Sequence, residues 1–177
     1  MLVLAILAAA TWVATWSPQQ QTSPTERASE GSLGYYIRGA SWSRTDEQGR
    51  VTYRIRAERL DELPAEDRLR LEGVTVEYQP AEDTAWAISA ANANALKDGS
   101  RLDLFGNVEV RSTPADGSEP VVTIVTEKLR FLPDVSSVES DEAVQLRVGA
   151  WRVDAVGLHL KGDTLRLESQ VHGTSSR

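Results

Sequence analysis

The sequence predicts an all-β body behind one N-terminal membrane-anchor helix. Three observations predict it: apolar residues recur at every second position, turn-forming residues punctuate the chain at short intervals, and an uncharged segment opens it. The 177 residues carry a net charge of −7, with all charged residues lying beyond residue 16. That balance lacks the basic footprint of a phosphate-tracking nucleic-acid binder. Cysteine is absent, which excludes disulfide staples, thiolate catalysis and cysteine-type zinc sites. Two histidines exclude a multi-histidine metal centre.

Residues 1–17 are read as the anchor. The first sixteen carry no charge, and as a helix they reach about 24 Å against a hydrocarbon core of about 30 Å. Ser17 and a thin bilayer make a span feasible. Trp12 and Trp16 lie one turn apart near the far end, where indole rings favour the headgroup level. Ala8-Ala9-Ala10 offers the rival reading, a signal-peptide cleavage site releasing a soluble protein. Residues 18–34 are polar, with two prolines and three consecutive glutamines, and read as a tether. The folded body spans 35–173, and 174–177 form a tail.

Within the body, Val51, Tyr53, Ile55 and Ala57 alternate with Thr52, Arg54 and Arg56, and Leu69 and Leu71 alternate with Arg68, Arg70 and Glu72. Similar runs are Leu102-Asp103-Leu104, Val108-Glu109-Val110, Val144 to Val148 and Leu165 to Glu168. A period of two marks strands buried on one face. The segment Ala87 to Leu96 admits a helix, but Trp86, Ile88 and Ala90 favour a strand. Turns are expected at Asp46-Glu47-Gln48-Gly49, Lys97-Asp98-Gly99-Ser100, Asp116-Gly117-Ser118 and Lys161-Gly162-Asp163. Short strands without intervening helices give a sandwich, a jelly roll or a solenoid.

The sequence also repeats. Ala57 and Ala90 are 33 residues apart, as are Gly73 and Gly106, and looser copies begin near Val125-Thr126-Glu127 and Val153-Asp154-Ala155. Each copy is a strand, a polar turn and a second strand, a unit that cannot bury its apolar face alone. At Gly73 the apolar phase slips from odd to even positions, which predicts a β-bulge there. At Gly106-Asn107 the phase is kept, so the bulge reading rests on the first site, and tight turns between shorter strands are the alternative at both.

The runs Gly49 to Ile55, Ala57-Glu58, Trp86, Ala90, Leu102 to Val110, Thr126-Glu127 and Gly157-Leu158, behind the uncharged N-terminus and tether, resemble the LptC family. These are single-span inner-membrane components of Gram-negative lipopolysaccharide export. The resemblance implies a twisted, open β-jelly roll of the OstA-like repeat, with the body in the periplasm and an apolar groove for acyl chains. It also implies partners: lipopolysaccharide, the ABC transporter subunits LptF and LptG with LptB, and an LptA-like periplasmic protein met by strand pairing. The anchor would sit beside the transporter's membrane-spanning subunits.

Candidate groove residues are Val51, Tyr53, Ile55, Leu69, Leu71, Val74, Val76, Trp86, Ile88, Leu102, Leu104, Val108, Val110, Leu146, Val148, Leu158, Leu160 and Leu167. An ordinary sandwich core would use the same positions. Each methylene shielded from water contributes about 0.8 kcal/mol, so such a lining suits acyl chains. Arg38, Arg44, Arg54 and Arg56 are candidates for phosphate at the groove mouth. The closing strand, Thr164, Leu165, Arg166, Leu167, Glu168, Ser169, Gln170, Val171 and His172, is the expected partner edge. The strand Tyr35 to Arg44 offers the opposite edge.

No enzyme pattern emerges. The carboxylates sit in expected turns (Asp46, Glu47, Asp61, Glu62, Glu66, Asp67, Asp98, Asp116, Asp134, Asp163) or on outward strand positions (Glu72, Glu109, Glu168). Outward too is His159, between Leu158 and Leu160. The sequence has neither a nucleophile elbow nor a phosphate loop. The expectation is a non-enzymatic carrier without cofactor or metal. The alternatives are a soluble bridge protein of the same fold and, in another class, a periplasmic carbohydrate-active enzyme.

Overall fold

In the computed structural model, the described residues are 34–79, 84–114, 121–162 and 164–175. The anchor, the tether up to residue 33 and the turn at Asp116-Gly117-Ser118 lie outside them. No helix among the described residues is long and apolar enough to cross a membrane.

Among the described residues nine strands follow one another: β1 (Tyr36–Thr45), β2 (Val51–Leu63), β3 (Arg68–Tyr78), β4 (Thr84–Leu96), β5 (Leu102–Pro114), β6 (Val122–Leu132), β7 (Ser137–Val148), β8 (Trp151–Lys161) and β9 (Thr164–Ser175). They form one sheet in sequence order, β1 to β9, with every neighbouring pair antiparallel. The four sequence copies are the hairpins β2–β3, β4–β5, β6–β7 and β8–β9. The segment around Ala87 to Leu96 is a strand, as its Trp86/Ile88/Ala90 alternation predicts. β9 continues to Ser175, past the expected end at His172.

The hairpin turns use the expected chemistry. Asp46 Oδ1 accepts from the backbone N–H of Gln48 (3.0 Å) and of Arg50 (2.9 Å), while Gly49 takes φ +80°. Asp98 does the same for Ser100 at 2.9 Å. These bonds hold both carboxyls below the ordinary carboxylate value, chiefly through the Arg50 N–H for Asp46 and the Ser100 N–H for Asp98. A depressed folded value means the unfolded protein binds protons first. Their stabilisation is therefore present above the unfolded carboxylate range and is lost as pH falls through the folded values. We expect unfolding midpoints flat between about pH 5 and 7 and falling below about pH 4. Asp46→Asn with Asp98→Asn should flatten the acid limb in denaturant titrations.

Asp61 and Glu62, expected in a turn, instead lie near the end of β2. The reversal is a 3-10 turn, Pro64–Glu66, closed by Asp67 in the left-handed region at φ +52°. Its counterpart is Pro133–Val135, closed by Ser136 at the same φ. In both, a Leu-Pro pair ends the strand, because proline supplies no N–H to the ladder and starts a turn.

A crease runs across the sheet. On β2 the buried residues pass from Ile55 and Ala57 to Leu60, on β3 from Leu71 to Val74, and on β4 from Ala90 to Ala93. Two residues separate the inward neighbours on each of these strands, so the register stays continuous across Gly73: Ala57 faces Val74 and Arg59 faces Glu72. The bulge expected at Gly73 is absent. All three strands kink together, and a shared kink slips the phase without slipping the register. The bulge lies instead at Gly106-Asn107, where the β5 register shifts against both neighbours. Asn107 is the extra residue, at φ +52°. One additional residue restores its parity, which is why the sequence shows no slip there.

β7 and β9 shift register at the same level. The carbonyls that β7's irregularity diverts from the ladder find hydroxyl donors: Thr126 Oγ1 donates to Ala143 O (2.9 Å) and Ser140 Oγ to Lys128 O (2.7 Å). Both side chains are buried, so these bonds spare the interior unpaired acceptors.

The crease folds the sheet onto itself. Tyr53 at the start of β2 and Tyr78 at the end of β3 pack edge-on against Phe131 at the end of β6, with ring centroids 5.9 Å and 5.4 Å away. In a flat sheet β3 and β6 would lie roughly 14 Å apart, three strand spacings. The contact requires the upper half of β2–β3 to cover the lower half of β6–β7. Tyr78 adds a hydrogen bond from its hydroxyl to Ser136 O at 2.7 Å, and Arg44 pairs with Asp134 across the same seam.

Candidate lipid-binding groove

The crease turns the apolar face of every strand inward. Of the groove candidates, Ile55, Leu71, Val74, Val76, Trp86, Ile88, Leu102, Leu104, Val108, Val110, Leu146, Leu158 and Leu160 are buried in one continuous cluster. Tyr53, Leu69, Val148 and Leu167 are half-buried against it. Val51 remains 40% exposed at the start of β2. The middle of the fold is thus a packed core, and access to the inner face lies at its ends.

At the N-terminal end the two layers part. A cleft of about 330 Å³ opens between the upper parts of β1 and β2 (Trp42, Tyr53, Ile55) and the lower parts of β2 to β5 (Leu60, Leu69, Ala95, Leu96, Leu102), with Pro133 beside it. Its rim carries Lys97 and Arg101. Lys97 Nζ sits 2.7 Å from Glu62 and 3.5 Å from Asp67, and the hydrogen bond to Glu62 raises its pKa. Arg101 pairs with Asp103 at 2.9 Å.

The arginines picked from the sequence do not gather at this mouth. Arg54 and Arg56 share Glu77 on the outer face, and Arg44 is taken by Asp134. Charged strand residues alternate outward, where they neutralise one another: Arg130 reaches Asp103 at 3.4 Å and Glu139 at 3.8 Å, and His159 lies 3.5 Å from Glu139. Exposed pairs of this kind contribute little to stability.

At the C-terminal end the inner face emerges from cover. Along β8, Ala155 is buried, Val153 is half-buried and Trp151 is 60% exposed. On β9, Leu165 and Leu167 pack against the core, Val171 is 53% exposed, and Thr164, Arg166, Glu168, Ser169 and Gln170 are exposed. β1 and β9 each pair on one side only among the described residues. Sequence reading missed Trp42, Leu60 and Phe131. Phe131 alternates with Leu129 and was legible; Trp42 lies in a polar run that carries no strong pattern.

No group of three or more potential metal ligands occurs among the described residues. One antiparallel sheet in sequence order, folded over an apolar face and free at both edges, defines an open β-jelly roll. The family model for lipopolysaccharide assembly, LptC-related, matches residues 2–176, and the chain belongs to that family. Among solved structures the fold is similar to LptH of Pseudomonas aeruginosa, described as the LptA-homologous periplasmic component of the conserved lipopolysaccharide transport device. The TM-score is 0.53 at 8% identity, over 71% of this chain and 95% of that one. No curated protein sequence matches this one.

Proposed function

We propose that this protein is a membrane-anchored periplasmic carrier that takes lipopolysaccharide from an ABC transporter (LptB, LptF, LptG) and hands it to an LptA-like protein. No covalent step is involved. The observation that carries this reading is the inner apolar face, accessible between the layers at Trp42, Tyr53 and Leu69 and again at Trp151 and Val171. Acyl chains would dock against the apolar surface at these two openings, the interior between them being packed. Tail burial supplies the affinity, since Arg54 and Arg56 are already engaged with Glu77.

The unpaired side of β9 adjoins the second opening. A strand added there would continue the sheet and its inner face into the next protein. Residues 1–17 would hold the carrier beside the transporter, with 18–34 as the tether.

Photocrosslinking tests the carrier reading. A photoreactive residue at Tyr53 or Leu69 in Gram-negative cells should yield lipopolysaccharide adducts, and one at Arg70 or Glu109 on the outer face none. Equal yields from both faces would refute a lipid path along the inner face.

A further inference from the structure

Trp86 holds the one polar side-chain atom buried without a hydrogen-bond partner among the described residues, its indole Nε1. The residue is 6% exposed and faces inward from the start of β4, between Tyr78 on β3 and Ser112 on β5. Its neighbours are satisfied: the Tyr78 hydroxyl donates to Ser136 O, and Ser112 Oγ accepts from the Val122 N–H at 2.8 Å. An indole N–H can only donate, and sealed from water it needs an acceptor. Phenylalanine would carry no such orphan donor, though its smaller ring would leave a void.

The indole also lines a cleft of about 430 Å³ at the upper ends of β2 to β5, together with Val51, Tyr53, Tyr78, Gln79 and the Arg54–Glu77 ion pair. An orphan donor and an open cleft therefore belong to one side chain, and because Nε1 itself is sealed, a ligand in the cleft reaches it once the indole turns toward the opening. An occupant that suits Val51 and the aromatic rings carries hydrocarbon, and one that satisfies the indole also holds an oxygen acceptor. Free phosphate fails the first condition and an alkane the second. An acyl tail joined by an ester or amide satisfies both.

We propose that Trp86 Nε1–H donates a hydrogen bond to the ester or amide carbonyl of a lipid acyl tail lodged in this cleft, and so sets how deeply the tail sits. The acyl lipid is taken to be that of lipopolysaccharide, which rests on the carrier function proposed above. A phospholipid ester offers the same carbonyl, so the test must separate the two sources.

The test uses the full-length protein, ¹⁵N-labelled at its five tryptophans, in an alkyl maltoside detergent that has no carbonyl. Lipid A or phosphatidylglycerol is added, and Trp86→Phe assigns the Trp86 signal. Lipid A should move the Trp86 indole proton downfield and slow its exchange with deuterium. Trp86→Phe should bind lipid A about three- to tenfold more weakly, the range for one neutral hydrogen bond, while its other tryptophan signals stay in place without lipid. An unmoved Trp86 signal, with lipid A bound and the Trp42 signal shifted, would overturn the proposal and leave the carrier function standing. Equal affinity of variant and parent would overturn it too. A shift with phosphatidylglycerol alone would keep the donor site and overturn the carrier's substrate; binding of neither lipid would remove both.

Discussion

Phe131→Ala should lower unfolding stability by about 3–5 kcal/mol, the range for truncating a fully buried aromatic ring. For a body of this size that corresponds to a fall in melting temperature of roughly 10 °C. The ring is inaccessible to solvent and receives the edges of Tyr53 and Tyr78 from the opposite layer. Removing it deletes apolar burial and two aromatic contacts, leaving a void that neighbouring strands cannot close, because hydrogen bonding fixes their spacing. Denaturant and thermal unfolding both measure the loss. A loss under about 1 kcal/mol, small beside that range, would show that the layers are held together elsewhere.

Gly157→Ala should act more locally and on a different strand. Gly157 takes φ +85° in β8, and a Cβ there would stand 2.8 Å from Glu168 Cβ and 2.7 Å from its Oε2 on β9. The left-handed backbone costs an alanine about 1–3 kcal/mol, and the clash adds to it, because a Cβ cannot swing aside as a side-chain tip can. The weaker partner must yield, and that is β9, paired on one side only. Amide exchange from Thr164 to Ser175 should accelerate while that of β4 and β5 stays slow. If β9 protection is unchanged, Glu168 does not seat the strand through the glycine. Gly73, φ +59°, has the same arrangement with Glu58, but there the close atoms are Cγ and Cδ, which can rotate away. Gly73→Ala should therefore be milder.

The strands and their hairpin pairing were legible because period-two burial and Asx-type turns are local properties. Asp46 and Asp98 announce their turns within four residues. The fold-over was not legible: it depends on Tyr78 meeting Phe131, residues from strands that share no hydrogen bond. The bulge was misplaced for a related reason. Apolar parity reports the sum of kink and insertion, so a kink alone at Gly73 looks like an insertion, and a kink with an insertion at Asn107 looks like neither. For the candidate site, alternation picked out residues that the structure turns inward, Val51 excepted. It could not separate Leu71, sealed in the core, from Leu69 at the mouth, because both alternate identically and only the opposite layer distinguishes them.

Because each strand among the described residues pairs only with those before and after it in the sequence, no segment waits for a distant one before its ladder can close. A polypeptide emerging end-first through a narrow translocation channel can set each hairpin on its predecessor as it appears, with no threading and a short wait for every edge. The same property makes length adjustable: a hairpin gained or lost by gene duplication or deletion extends or shortens the sheet while leaving all other pairings intact.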